Sequence, residues 1–291
     1  MKIKVSRSYR VFQVINTFIM IAVVVSTLYP FLFLVAQSFS SEAAVYAGRV
    51  FIWPVDFTAL AYNVVLREGA FFTSYINTIL YTVVGTVVSV FFSCTLAYPL
   101  SKTRLGINRI VTPFIMFTMF FTGGLIPNYI LINSLGMRNT MWAVIIPGAI
   151  STYNVLLIRS FFIGLPNELE EAAMVDGLNT YGVFFRIVLP LSKPILATMV
   201  LFCAVSIWNN WFGPFIYLDD KKLFPVALYL RGIIAGATGM SELGAASEEA
   251  SKISATVRSC TMVLTALPII CIYPFIQKYF VQGMTLGSVK G

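Results

Sequence analysis

Residues 11–36 read VFQVINTFIMIAVVVSTLYPFLFLVA. A helix that crosses a bilayer needs about 20 mostly apolar residues, and this run exceeds that length. The ten residues before it are basic, with Lys2, Lys4, Arg7 and Arg10. A cleaved secretory leader has an apolar stretch of about 7–15 residues followed by a small-residue cleavage site. This run is longer and has no clear site of that kind, so it is expected to be a retained first span. The rest of the chain repeats the pattern, with further spans expected near 75–100, 108–132, 141–163, 194–216 and 256–280. The third is interrupted by Gly123, Gly124 and Pro127. Such breaks are tolerated where the freed backbone is buried in protein or lines a cavity.

Composition agrees. Of 291 residues, 58% are hydrophobic and only 11% are charged, against roughly 45–50% and about 25% in soluble domains. No soluble core hides that much apolar surface. The expectation is an all-α, polytopic membrane protein forming a single transmembrane domain over 1–291. There is no histidine, which removes the commonest metal ligand and the usual neutral-pH general base. Cys94, Cys203, Cys260 and Cys271 lie in apolar runs without ligand spacing and read as small buried hydrophobes. Patterns for phosphate loops, nucleophile elbows or zinc proteases are missing. The chain is therefore expected to hold no catalytic residue, metal or cofactor.

Lys and Arg near span ends set orientation. Placing the N-terminus on one side puts twelve cations and four acids there, a net charge of +8. The other side has eight of each, a net of zero. The whole excess lies on one face. Both termini and the 164–193 connection are thus expected to be cytoplasmic, in the inner (cytoplasmic) membrane. This asymmetry accounts for the basic charge without nucleic acid. The long connections 37–74 and 217–255 fall outside. The second includes an Ala/Ser/Glu-rich stretch at 241–252.

The 164–193 connection contains LPNELEEAAMVDGLNTYGVFFRIVLP, Leu165 to Pro190. Asn167 is a good helix N-cap, and Glu170 three residues later fits a capping box. Glu168, Glu170 and Glu171 in the first turn complement the helix dipole. Gly177 suits the left-handed position after a helix end. A helix is predicted over about 168–176, with Leu169, Ala172 and Ala173 on one face. Thr180 can cap a second short helix whose apolar stripe is Phe184, Ile187 and Val188, and which Pro190 and Pro194 stop. A small apolar helical hairpin on the basic face fits a cleft on a soluble partner.

Glu171-Ala172-Ala173, Gly177, Ile187 and Leu189-Pro190 stand at the spacing of the EAA loop, and here the chain resembles ATP-binding-cassette (ABC) importer permeases. Phe121–Pro127, Asn139–Trp142 with Ile146–Gly148, and Gln277–Gly283 with Gly287–Gly291 are similar to the carbohydrate-uptake members that handle complex oligosaccharides. Leu178-Asn179 departs from many relatives, which carry Ala and a different small or polar residue there. The resemblance implies a type I importer permease of six transmembrane helices, with the hairpin as coupling helices in a groove of the ATPase. Glu171, Ala172, Ala173, Asp176, Gly177, Leu189 and Pro190 would make that contact. It implies as partners a sister permease forming a heterodimer, two ATPase subunits carrying ATP and Mg, and an extracytoplasmic sugar-binding protein. The 37–74 and 217–255 loops would meet that binding protein, or else serve as plain solvated connectors.

Sugars are recognised by aromatic faces and by amide and hydroxyl groups. Trp208, Asn209, Asn210 and Trp211, expected within the fifth span, and Tyr153 and Asn154 in the fourth are candidates for the substrate path. Polar groups in a membrane face the bundle interior or a cavity. They also serve as bonds between helices, and Trp as an interfacial anchor; both readings stand here. A secondary transporter or channel would carry intramembrane ionisable groups for ion coupling, and these spans hold almost none away from their ends. A membrane enzyme would need paired carboxylates, and the adjacent Asp219-Asp220 do not share a helix face. Within the ABC class the rival is an amino-acid or peptide permease.

Overall fold

The computed structural model describes residues 7–102, 104–237 and 254–288. The Ala/Ser/Glu-rich stretch at 241–252 and the last residues of the Gly287–Gly291 motif lie outside them. In chain order the helices are α1 (Arg7–Ser38), α2 (Glu42–Tyr46), α3 (Leu60–Arg67), α4 (Gly69–Ser101), α5 (Asn108–Phe120) and α6 (Leu125–Ser134). Then come α7 (Met141–Ile145), α8 (Thr152–Ile163), α9 (Asn167–Val175), α10 (Thr180–Val183), α11 (Leu189–Leu191) and α12 (Lys193–Trp208). The last are α13 (Phe212–Tyr217), α14 (Val226–Ala237) and α15 (Ala255–Ser288). No strand occurs among the described residues.

Three stretches are each one unbroken helical run, apolar and long enough to span: Ser8–Ser38, Gly69–Ser101 and Ala255–Ile272. Three more are bent pairs. Asn108–Phe120 meets Leu125–Ser134 at 108°, Met141–Gly148 meets Thr152–Ile163 at 51°, and Thr180–Leu191 meets Lys193–Trp208 at 81°. The third span breaks where its glycines interrupt it, and the fifth is shorter than expected. The third, expected as one run over 108–132, turns at Gly124, whose φ of +85° lies in the left-handed region that costs other residues a steric penalty. The fifth, expected to reach 216, ends at Trp208. There the Asn209 amide donates to the Val205 carbonyl at 2.8 Å, and Asn210 Oδ1 accepts from the Gly213 N–H at 3.1 Å. Asn side chains compete in this way with the backbone's own helical bonds. The last helix runs on to Ser288, past the expected end at 280.

Packing groups the chain into two compact units. One is Met1–Gly69 with Gly232–Ala266, the other Ala70–Arg231 with Leu267–Gly291. In the first, α1 leaves almost all its apolar side chains on the surface, as a helix solvated by lipid can. Past its end, Ser40 Oγ donates to the Ala36 carbonyl at 2.7 Å and accepts from the Val55 N–H at 3.0 Å. Phe39 stacks on Tyr62 at 4.5 Å, and Ser259 Oγ bonds Gln37 at 2.6 Å.

In the second unit α4 is the axis. Ser74, Thr78, Gly85, Ser89, Ser93, Ala97 and Ser101 form a buried stripe along it. Small residues at helical spacing let neighbouring backbones approach closely. The main core gathers Cys94, Ala97, Tyr98 and Leu100 from α4, Val155, Ile158 and Phe162 from α8, and Ile195 and Met199 from α12. The hairpin adds Ala173, Val183, Phe184 and Val188 to the same cluster, so it is part of the fold and not an appendage. Cys94, Cys203 and Cys260 are buried as expected, whereas Cys271 is exposed. It sits on the apolar surface of α15, where a lipid neighbour requires no protein cover.

Candidate functional site

The hairpin begins differently from expectation. Pro166, with φ −60° and ψ 128°, holds the N-cap position of α9, and no side chain caps it. Asn167 is the first helical residue, so the expected cap and capping box are corrected. Glu170 turns inward instead. Its residue is 7% exposed. One carboxylate oxygen accepts from the Tyr98 hydroxyl at 3.2 Å, and the other forms an ion pair with Lys102. A carboxylate is tolerated at this depth because an ammonium and a phenol take its oxygens.

The far end of α9 closes as expected. Gly177 has φ +87°. Its N–H donates to the Met174 carbonyl at 3.0 Å, and the Leu178 N–H donates to Ala173 at 3.0 Å. These are the two bonds of a Schellman turn. Leu178 then packs on the core. Asn179, not Thr180, caps α10: its Oδ1 accepts from the Gly182 N–H at 2.8 Å. The residue that departs from the family pattern thus does the capping. Phe184–Val188 form a π-helical turn, and α11 follows with Pro190 in its first positions. Proline removes a donor and crowds the preceding turn, and a widened turn accommodates this. The chain therefore bends into α12 at Ser192 and does not stop at Pro190.

The hairpin presents two faces. Ala173 points inward at 6% exposure, with Phe184 and Val188 beside it. Leu189 is half-buried on the core. Outward lie Glu171, Ala172, Asp176, Gly177 and Pro190, and with them Leu169 at 44%, Val175 at 88%, Tyr181 at 77% and Phe185 at 51% exposure. The seven motif residues are accordingly divided. Glu171, Ala172, Asp176, Gly177 and Pro190 form a surface, while Ala173 and Leu189 mount it. Val175, Tyr181 and Phe185 extend this surface and carried no motif signal. Their surplus apolar exposure beside a polar face is what a docking patch needs. Glu170 was also missed, although it shares the inward face with Ala173 at i, i+3 spacing.

The candidate path residues separate. Trp208 is 7% exposed and meets Tyr75 edge to face at 5.8 Å. Both line an apolar cavity of about 330 Å³ between α4, α12 and α15. Asn209 and Asn210 spend amide groups on local backbone, as above. Trp211 lies under the Arg231 guanidinium, 3.6 Å from its carbon to the ring centre. Tyr153 is half exposed. Asn154 is buried and its amide faces Cys203 Sγ at 3.5 Å, which makes it a bond between α8 and α12.

Beyond the fifth apolar segment, 217–226 is strapped to its neighbours. Asn139 donates its N–H to the Tyr217 carbonyl at 2.8 Å, and its Oδ1 accepts from the N–H groups of Asp219 and Asp220 at 3.0 Å each. From α4, Tyr81 bonds the Leu223 carbonyl at 2.8 Å, and Thr78 accepts from the Val226 N–H at 2.7 Å.

Fold and site define an all-helical, multi-pass membrane protein with a helical hairpin between its fourth and fifth apolar segments. A family model described as "Binding-protein-dependent transport system inner membrane component" matches residues 85–286, and the chain belongs to that family. It is 41% identical to protein LplC of Bacillus subtilis (strain 168), over 98% of this chain and 97% of that one. It is 38% identical to the polygalacturonan/rhamnogalacturonan transport system permease protein YtcP of the same organism, over 90% of this chain and 92% of that one. Its fold matches a chain of a bacterial ABC transporter involved in the import of the acidic polysaccharide alginate. The TM-score is 0.86 at 36% identity, over 96% of this chain and 100% of that one. The fold class expected from the sequence, an ABC importer permease, is therefore established.

Proposed function

We propose that this chain is one of two permease subunits that together form the translocation path of an ATP-driven importer for complex oligosaccharides. Family membership and relatives named for polysaccharide transport support the substrate class. The partners are a sister permease, two ATPase subunits that hold ATP and Mg, and an extracytoplasmic sugar-binding protein. This chain has no hydrolytic role. Its termini and the hairpin face the cytoplasm, in line with the +8 excess on that face.

The observation that carries this reading is the two-faced hairpin. Its outer face offers Glu171, Ala172 and Asp176 to a partner, and its inner face is built into the main core. A push on a helix packed in this way reaches the spans as a rigid-body shift, because packed cores are not continuously deformable. ATP binding closes the ATPase pair, the hairpin follows, and the path opens outward to receive sugar. Ligand energy drives such a change only through different contacts in the two states.

Two variants test this in the complete complex reconstituted in vesicles. Gly177→Trp is expected to release the ATPase or to leave hydrolysis running without uptake. Normal assembly with normal transport would rule out the coupling role. For the path, Trp208, Asn209, Asn210, Trp211 and Tyr153 are the residues proposed to meet sugar, with Asn154 as a helix-to-helix bond. Asn210→Ala should lower both uptake and substrate-stimulated hydrolysis. Wild-type values for both would remove it from the path.

A further inference from the structure

A surface helix transmits a push only if its register on the neighbouring helix is fixed. The apolar contacts of α9 are poorly suited to that. Ala173 is a small methyl against the core, with Met174 and Leu178 flanking it. Such a contact resists separation but offers little against sliding or rotation.

Glu170 supplies what the methyl does not. It stands one turn before Ala173 on the same face and reaches the C-terminal end of α4. There it meets Lys102 in an ion pair whose side chains are only 13% and 9% exposed. The Arg49–Asp56 and Arg138–Asp219 pairs are, by contrast, largely solvated at both ends. Tyr98 completes the group. Its hydroxyl binds Glu170, its ring lies 4.6 Å from the Lys102 ammonium, and Phe184 packs on it at 4.9 Å. Lys102 also follows the last turn of α4, where the helix dipole favours a cation.

We propose that Glu170, Lys102 and Tyr98 form a clasp that fixes the register of α9 on α4, so that displacement of the docking face moves α4 with it. The inference rests on the reading of the hairpin as the ATPase-docking segment. A buried ion pair adds little net stability, because desolvation cancels much of its attraction. It is steeply sensitive to geometry, since separating the partners strands a charge. That property suits a positioning device. The α4 end then distributes the motion. Its Leu100 carbonyl accepts from Arg159 Nε of α8 at 2.9 Å, and Asn108 at the start of α5 bonds the Pro99 and Lys102 carbonyls at 2.9 Å each. One displacement therefore reaches α4, α5 and α8.

The test uses the complete complex in proteoliposomes and measures ATPase co-purification and the ratio of ATP hydrolysed to sugar imported. Glu170→Gln and Lys102→Met each strand a partner. The Lys102→Met/Glu170→Leu double variant removes both charges and strands none, so it separates folding from coupling. All three are expected to keep the ATPase attached and to raise the ATP consumed per sugar severalfold, because the link between docking face and spans is loosened. The charge exchange Lys102→Glu/Glu170→Lys should recover part of the lost coupling, since the ion pair is restored but the dipole and ring contacts of Lys102 are not. A wild-type ratio in the double variant would overturn the clasp. So would loss of the ATPase from Glu170→Gln, which would place Glu170 at the partner and not inside the fold. Outer-face substitution keeps the two readings distinguishable. If Ala172→Trp detaches the ATPase while the clasp variants transport normally, docking stands and the clasp fails. If Ala172→Trp is without effect, the docking reading fails as well.

Discussion

Gly177 combines a backbone demand with open space. Its φ of +87° is one that L-residues adopt only under strain, at about 1–2 kcal/mol. A Cβ built there would meet nothing within 4 Å. A Cβ at this position is therefore free of clash, and the Ala variant gives the strain against which bulkier side chains are compared. Gly177→Ala and Gly177→Trp should cost similar backbone strain. Gly177→Asn should cost less, since Asn visits the left-handed region. Any defect of the Trp variant beyond that of the Ala variant then reports the nearness of the ATPase. The expected order of coupled transport is Gly, Asn, Ala, Trp. Equal transport by the Ala and Trp variants would place the partner away from Gly177.

At the scale of elements, the 217–223 segment is held by bonds that converge from elsewhere. Asn139 has φ +57° and spends its N–H and Oδ1 on three backbone groups of that segment. Asn139→Ala removes the two bonds to Oδ1 and leaves a strained backbone. A cost of about 1–3 kcal/mol, confined to the segment, is expected. Hydrogen exchange across 217–223 should accelerate by one to two orders of magnitude, about 1.4 kcal/mol per tenfold, with α8 and α12 unchanged. Unaltered exchange would show that the bond from Tyr81 to Leu223 suffices to hold it. The same scale shows what sequence could and could not disclose. The α9 helix and its Gly177 terminus follow from local chemistry, because dipole and φ preferences act within one turn. The Asn179 cap was legible too, but Thr180 competed for the role. The inward turn of Glu170 was not legible, because its partners lie 68 and 72 residues away. A carboxylate at the start of a helix reads as a cap until the fold supplies a cation.

For the whole molecule, the apolar runs were legible because the bilayer demands length and composition, not particular contacts. The break at Gly124 was legible from its glycines and proline, but its angle was not. The helix end at Asn209–Asn210 was not legible, because it stands in a run whose hydropathy continues past it, and hydropathy does not register backbone angle. Orientation is a separate quantity, proposed above from the placement of the +8 net charge, and it can be measured directly. Cys94, Cys203 and Cys260 are buried and Cys271 is exposed. A Cys271→Ser background should therefore leave little reactive thiol in the folded chain. Into it Tyr181→Cys, at a position 77% exposed on the hairpin, and Lys221→Cys, at an exposed position beyond the fifth apolar segment, place one thiol each. A membrane-impermeant maleimide added to intact cells with a permeable outer envelope should label Cys at 221 and spare Cys at 181. Inside-out vesicles should reverse the pattern. Labelling at 181 should also fall when the ATPase is co-assembled, since the docking face would then be covered. Labelling of both from one side would contradict the charge argument, because 181 and 221 are separated by a single span. Labelling of 181 in intact cells alone would invert the topology and take the hairpin away from any cytoplasmic ATPase.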